Sequence, residues 1–270
     1  MYDASAFCGS WAYRQVTARF LEELISQLKE AGLAGAAISP VEAILHPEPM
    51  TANRRFLKEC AACAAAAAAG TADRSRAFAV YPVPVIDPNL SNWEEQLAEC
   101  MALANSHRLP VPAVKIFPNY HGYEIDLPAL DALAQSLAAM GITLCVQLRM
   151  EDERARHRTV NVPPLSIPDI VAFAGCHPEL SILVCAPYMR DLAELNSAPN
   201  ISVEMSFVES GHLLRDALRH MTASRLLVGT HAPLFIPAVG VAKAKADVVE
   251  AEVFAQISTD NFMRLFGAKH

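Results

Sequence analysis

The 270-residue chain predicts an α/β protein built as a single (β/α)8 TIM barrel. Short apolar runs alternate with amphipathic stretches from one end to the other. Counting a short first strand, there are eight such strand–helix units, each of about 30 residues. The runs are apolar throughout rather than alternating, as expected of parallel strands covered on their outer side. A doubly wound open sheet is the competing arrangement, but the Gly-rich loop that usually follows its first strand is missing. No low-complexity linker or shift in composition divides the chain, so residues 1–270 read as one domain.

In chain order, strands are expected at 1–6, 35–39, 77–83, 113–117, 142–148, 180–186, 201–205 and 225–230. Helical periodicity fills 16–31, 52–69, 93–106, 129–140, 168–175, 189–195, 209–221 and 245–257. Ser91 with Glu94, and Ser166 with Asp169, have the spacing of a capping box, which satisfies free N–H groups at a helix start. Asp126 and Pro128 mark another start, and Gly32, Gly70 and Gly141 stand where helices need left-handed stops. The alanine run after Cys60 reads as a smooth scaffold helix.

Composition narrows the function classes. Hydrophobic residues make up 53% of the chain, enough for a large core. Lys and Arg total 22 against 29 Asp and Glu, a net charge of −7, and the only basic cluster is at 154–158. Such a chain lacks the basic face of a nucleic-acid binder. The seven cysteines sit mostly in apolar runs, which fits reduced thiols in the cytoplasm. The N-terminal residues lack the basic and apolar regions of a signal peptide, and no run is long enough to cross a bilayer.

In a barrel, chemistry belongs at the C-terminal ends of the strands. That selects Ser5 and Phe7, Ser39, Tyr81, Lys115 and Phe117, Gln147 and Arg149, Cys185, Glu204 and Ser206, and Thr230 and His231. The longest loops expected there are 149–165 and 232–244, either of which could form a rim or lid.

Several phrases, in order, resemble the amidohydrolase superfamily, specifically its amidohydrolase-related branch of metal-dependent hydrolases and decarboxylases. Val114-Lys-Ile-Phe-Pro-Asn-Tyr-His-Gly-Tyr123 and Leu144-Cys-Val-Gln-Leu148 are similar to that branch's fourth and fifth units. Residues 177–185, 200–206 and 225–233 are similar to its last three strands, and 257–267 to its closing helix. The resemblance implies a divalent metal, often zinc, held by His-x-His on strand one and by His on strands five and six. It also implies an Asp ending strand eight that takes a proton from metal-bound water. At those positions this chain has Ser5, Phe7, Gln147, Cys185 and His231. Phe7 cannot ligate, and Ser5 and Gln147 are poor zinc ligands, so the inherited metal mechanism is not expected here.

Three readings remain. The barrel is a relic that binds a ligand or partners an active relative. Alternatively, Cys185 activated by His231 is a nucleophile for metal-free hydrolysis. Or a metal such as zinc survives on a rebuilt set that includes His46, His121 or His157. Cys185 also reads simply as a small core residue. Lys115, inside a strand, needs a carboxylate, for which Glu204 is the candidate, and Gln147 needs polar partners. Arg149 with Arg154, Arg156, His157 and Arg158 would favour a carboxylate if folded over the mouth, and Tyr120 would supply a side wall. The expected activity is hydrolase-like, or binding of a small carboxylate-bearing or cyclic molecule. His231 and Cys185 are the candidate catalytic groups; Lys115, Gln147, Arg149, Tyr120, Glu204 and Ser5 are the candidate binding groups. No resident cofactor, nucleic acid or membrane is expected, and the outer helical ring could support a homo-oligomer.

Overall fold

The computed structural model describes residues 1–69, 78–154, 157, 159 and 162–267. Its strands are β1 (Tyr2–Cys8), β2 (Gly35–Pro40), β3 (Ala79–Pro82), β4 (Ala113–Ile116), β5 (Thr143–Gln147), β6 (Ile182–Cys185), β7 (Ile201–Glu204) and β8 (Leu226–Leu227). They pair in parallel as β1-β2-β3 and as β4-β5-β6-β7-β8. Backbone hydrogen bonds join the two groups along both seams. On one side Val85 bridges Lys115, with Lys115 N–H donating to the Pro84 carbonyl at 2.9 Å. On the other, Ala4 N–H donates to Val228 O (2.9 Å), His231 N–H to Ser5 O (2.9 Å) and Phe7 N–H to Ala232 O (2.7 Å). The sheet therefore returns on itself as a barrel, which removes the exposed edges of an open sheet.

Alternation along the strands separates two cores. Val114 and Ile116 of β4, Leu144 and Val146 of β5, and Ile182 and Val184 of β6 face outward, packing with helical leucines such as Leu130, Leu133 and Leu137. Ala4, Ala37, Ala113, Cys145, Leu183, Cys185 and Leu227 face inward. The inner group is mostly small because its lower end is plugged by Phe262, Leu265 and Phe266 of the last helix (Asn261–Phe266). The Phe262 ring stacks on Tyr2 at 4.8 Å.

Helix signals hold where a local cap can decide. Ser166 Oγ accepts from Asp169 N–H at 3.3 Å, and Gly32 and Gly141 adopt φ of +89° and +66°. At Ser91 the expected cap is absent: the helix starts at Trp93, and Asn92 Oδ1 accepts from Gln96 Nε2 instead. Gly70 lies outside the described residues. The helix expected from residue 16 starts only at Leu21, because Glu23 Oε2 accepts from the N–H groups of Arg19 and Phe20 and turns the chain there. Residues 9–20 thus run as a strap over the C-terminal mouth. The expected helix 209–221 shrinks to Leu213–Ala217, and Pro237–Ala246 forms a helix where a loop was expected. Asp247 explains both: it ends that second helix, and its Oδ2 accepts from Leu214 N–H at 2.6 Å. No helix among the described residues is long and apolar enough to cross a membrane.

One side chain reinforces the seam beside β4. Asn53 donates to Val85 O at 2.7 Å and accepts from Val85 N–H at 2.9 Å, all within the buried interior. Asn53→Ala leaves both backbone groups without partners, so urea unfolding should show a loss of about 2–4 kcal/mol. A loss below about 0.5 kcal/mol would show that the seam does not need this clamp.

Candidate functional site

A polar layer crosses the barrel above the small inner residues. At its centre is Lys115 of β4, only 2% exposed. Nζ donates to Ser5 Oγ of β1 at 3.2 Å and to Gln147 Oε1 of β5 at 3.2 Å, and lies 4.4 Å from the centre of the Phe7 ring. Gln147 Nε2 donates in turn to Arg149 O at 2.7 Å. The expected Lys115–Glu204 ion pair is not made in that form. Glu204 instead accepts from Ala186 N–H (2.5 Å), Ser206 N–H (2.8 Å) and Ser206 Oγ (2.9 Å). Its carboxylate fits because position 229 is glycine: a Cβ there would lie 1.8 Å from Glu204 Oε2.

Asp3 supplies the second buried carboxylate. Oδ1 accepts from Ser5 N–H (3.0 Å) and Thr230 N–H (2.9 Å), and Oδ2 accepts from the Thr230 hydroxyl. Burial pushes the pKa of both Asp3 and Glu204 up, against the hydrogen bonds they accept and the positive charge of Lys115.

His231 ends the eighth unit with φ of +56°. Its Nε2 faces the Met150 carbonyl at 2.9 Å, an acceptor only, so in the neutral ring Nε2 carries the proton and Nδ1 is bare. Nδ1 is buried without a hydrogen-bond partner. Phe7, Phe207 and Phe235 surround the ring at 5.0, 4.9 and 5.2 Å. Burial, with the charges of Lys115 and Arg14, pulls the pKa down to about 3. Cys185 is fully buried and directs Sγ to Leu183 O at 3.9 Å. Its neighbour Cys145 is held well above the usual thiol range by burial. The described hydrogen bonds of His231 and Cys185 therefore do not form the base–nucleophile pair expected from the sequence; the imidazole is committed to Met150.

The remaining candidates are structural parts of the mouth. Arg149 lies 3.8 Å from the Tyr188 ring centre, donates to Ala186 O and sits 3.7 Å from Asp191, so its guanidinium is already engaged. Burial lowers its pKa. The Tyr120 hydroxyl accepts from Met150 N–H at 3.1 Å. Arg154 is exposed on Asp152, and His157 stacks on Tyr13 at 5.8 Å. Arg156 and Arg158 lie outside the described residues. His46 is exposed, and His121 is buried 3.8 Å from Asp87.

Sequence reasoning missed the strap. Trp11 is buried against Tyr13 and Tyr120, Arg14 donates to Leu234 O at 2.5 Å, and its Nε lies 3.4 Å from Glu151. The signal was present as Trp11, Tyr13 and Arg14 directly after the first strand, residues too costly to leave unburied without a task. Beside the strap, a cleft lined by Asn119, Tyr120, Arg149, Glu151 and Pro163 holds about 20 Å³, room for about one water.

No family model and no curated protein matches this chain. Solved structures do. A 5-carboxyvanillate decarboxylase from Novosphingobium aromaticivorans, holding manganese and 3-methoxy-4-hydroxy-5-nitrobenzoic acid, superposes with TM-score 0.70. The two are 12% identical over 99% of this chain and 97% of that one. A 2,6-dihydroxybenzoate decarboxylase from Rhizobium gives 0.67 at 13% identity, covering 98% of each chain. An amidohydrolase from Mycobacterium avium subsp. paratuberculosis gives 0.58 at 15%, covering 92% and 74%. The chain shares its barrel fold with these structures.

A divalent metal at the place that such barrels imply does not fit these side chains. No group of three or more His, Cys, Asp or Glu suited to a metal occurs among the described residues. Phe7 presents a ring, His231 gives its Nε2 to a carbonyl, and a lysine ammonium stands between Ser5 and Gln147.

Two measurements check this site. The unfolded chain's imidazole takes its proton near pH 6.5, the folded one near 3. Between those values the unfolded state binds more protons, so stability falls as pH falls through the window. Asp3 and Glu204, with raised pKa values, act oppositely and favour folding at low pH. His231→Asn should therefore flatten the acid limb of a urea-unfolding series by a few kcal/mol; an unchanged limb would remove His231 as its source. Iodoacetamide should label exposed Cys176 first and Cys185 only on unfolding, with His231→Asn leaving that order unchanged. Early labelling of Cys185 that depends on His231 would restore the nucleophile.

Proposed function

We propose that this barrel binds a small carboxylate-bearing, cyclic molecule at the C-terminal mouth, on an amidohydrolase-type scaffold whose metal centre is degenerate. The observation that carries the reading is the environment of Lys115. Its ammonium donates to two neutral oxygens and otherwise meets a ring face. A buried cation with neutral partners attracts an anion strongly, because the low-dielectric surroundings screen it little. A carboxylate taking the place of the Phe7 ring would complete its hydrogen bonding. Ser5 and Gln147 orient the ammonium, Tyr120 forms the side wall, and Arg149 stiffens the rim. Aromatic carboxylates are the class suggested by the names of the neighbouring decarboxylases.

Entry requires Phe7 to move, and the strap with it, since the Phe7 ring covers Lys115 and packs in one buried cluster with Trp11. Among the described residues no base is hydrogen-bonded to Cys185, which favours binding over hydrolysis. The non-catalytic reading, a ligand-binding or partner subunit derived from a hydrolase, is therefore preferred to a cysteine hydrolase.

Calorimetry with 2,6-dihydroxybenzoate tests the proposal. The native protein should give saturable heat, and Lys115→Met should weaken binding by about tenfold or more, the loss of one charge-assisted hydrogen bond. Equal affinity in both proteins, or no saturable heat with the native protein, would overturn it.

A further inference from the structure

We infer that the lower end of the barrel carries an anion site, built around Arg225 and Arg264, that takes inorganic phosphate or a phosphate monoester. It lies where β6, β7 and β8 begin, at the end opposite the mouth, so it owes nothing to the reading of Lys115. An open cavity of about 450 Å³ is lined there by Ser181, Ser202, Thr222, Ser224 and the two arginines. That volume is in the range of small-molecule sites. Elsewhere on the molecule arginines meet carboxylates, as Arg54 meets Glu99 at 2.6 Å and Arg219 meets Asp216 at 2.9 Å. Among the described residues, Arg225 and Arg264 meet only neutral oxygens.

The two guanidiniums have different parts to play. Arg225 spends every nitrogen on the chain: Nε donates to Thr222 Oγ1 at 3.2 Å, Nη1 to Ala198 O at 2.6 Å, and Nη2 to Asn196 O at 2.9 Å. It is a fixed positive charge. Arg264, on the last helix, donates from Nη2 to Ser224 O (2.9 Å) and Ser202 Oγ (3.3 Å), while its Nε and Nη1 have no described partner. Those two nitrogens are the donors left for a ligand. Ser202 is buried, and because its Oγ accepts from Arg264 its own proton remains to be donated. Burial lowers the pKa of both arginines, and no described carboxylate opposes it. An unpaired pair of cations in a chain of net charge −7 attracts an anion. One guanidinium is enough for a planar carboxylate. Donors from β6, β7 and the last helix, arriving from three sides, suit the several oxygens of a phosphate better.

Thermal unfolding and calorimetry at constant ionic strength test this, with inorganic phosphate and ribose 5-phosphate as probes. Millimolar phosphate should raise the native midpoint by about 2 °C or more, and titration should give saturable heat with one site per chain. Arg264→Gln removes the donors from an exposed side chain, so the variant should fold but lose both responses. Tighter binding of ribose 5-phosphate would make the ligand a phosphate monoester, and equal or weaker binding would make it free phosphate; either supports the site. Should Arg264→Gln not fold, the double variant Ser181→Ala, Ser202→Ala decides, because it keeps both arginines. It should weaken phosphate binding by about tenfold, the loss of two hydroxyl donors. No saturable heat with the native protein would overturn the inference. So would an unchanged affinity in a folded Arg264→Gln protein or in the double serine variant.

Discussion

A lysine ammonium sealed inside a closed barrel constrains everything around it. Lys115 is only 2% exposed, and the polar contacts of its ammonium come from the chain. Ser5 and Gln147 meet that need from the neighbouring wall, and Phe7 covers the remaining direction. Asp3 and Glu204 spend their oxygens on backbone N–H groups and on the hydroxyls of Thr230 and Ser206. Those same hydrogen bonds join β1 to the eighth unit and β6 to β7. Satisfying these two buried carboxylates and closing the barrel are thus one set of hydrogen bonds.

Both ends of the barrel are closed to keep that centre dry. Phe262, Leu265 and Phe266 fill the lower end. At the upper end the strap brings Trp11 over Phe7 and Phe117, and Arg14 ties it to Leu234 and Glu151. The neutral His231 belongs to this upper layer. Its position is set by the carbonyl of Met150 and by three phenyl rings, a setting suited to an imidazole that never takes a proton near neutral pH. The solved barrels of similar shape include one that holds manganese and an aromatic acid. Strand order and outer packing do not depend on what the inner strand ends contain, so a barrel scaffold of this kind is compatible with different centres.

The barrel was legible in the sequence because its outer contacts repeat: eight apolar runs separated by helical periodicity leave few alternatives. Local caps such as Ser166 and the left-handed glycines 32 and 141 were legible for the same reason, since their causes lie within a few residues. Lys115, Ser5 and Gln147 were identifiable singly, each as a polar residue inside an apolar strand. The partner of Lys115 was misassigned to Glu204, because pairing across a barrel depends on which inward positions share a level. The helix starting at Leu21 and the strap before it were also misread, since periodicity continues through residues 16–20 and only Glu23 turning back on the backbone ends it.

By itself the sequence determined the alternation that builds the barrel and the presence of polar and charged residues within apolar strands. Those properties belong to residue types and their spacing. Only the tertiary structure decided that Lys115 points between β1 and β5, that the imidazole of His231 is committed to Met150 rather than to Cys185, and that Trp11 and Arg14 close the mouth. These depend on distances between segments more than a hundred residues apart, and strand closure sets them where no local pattern can.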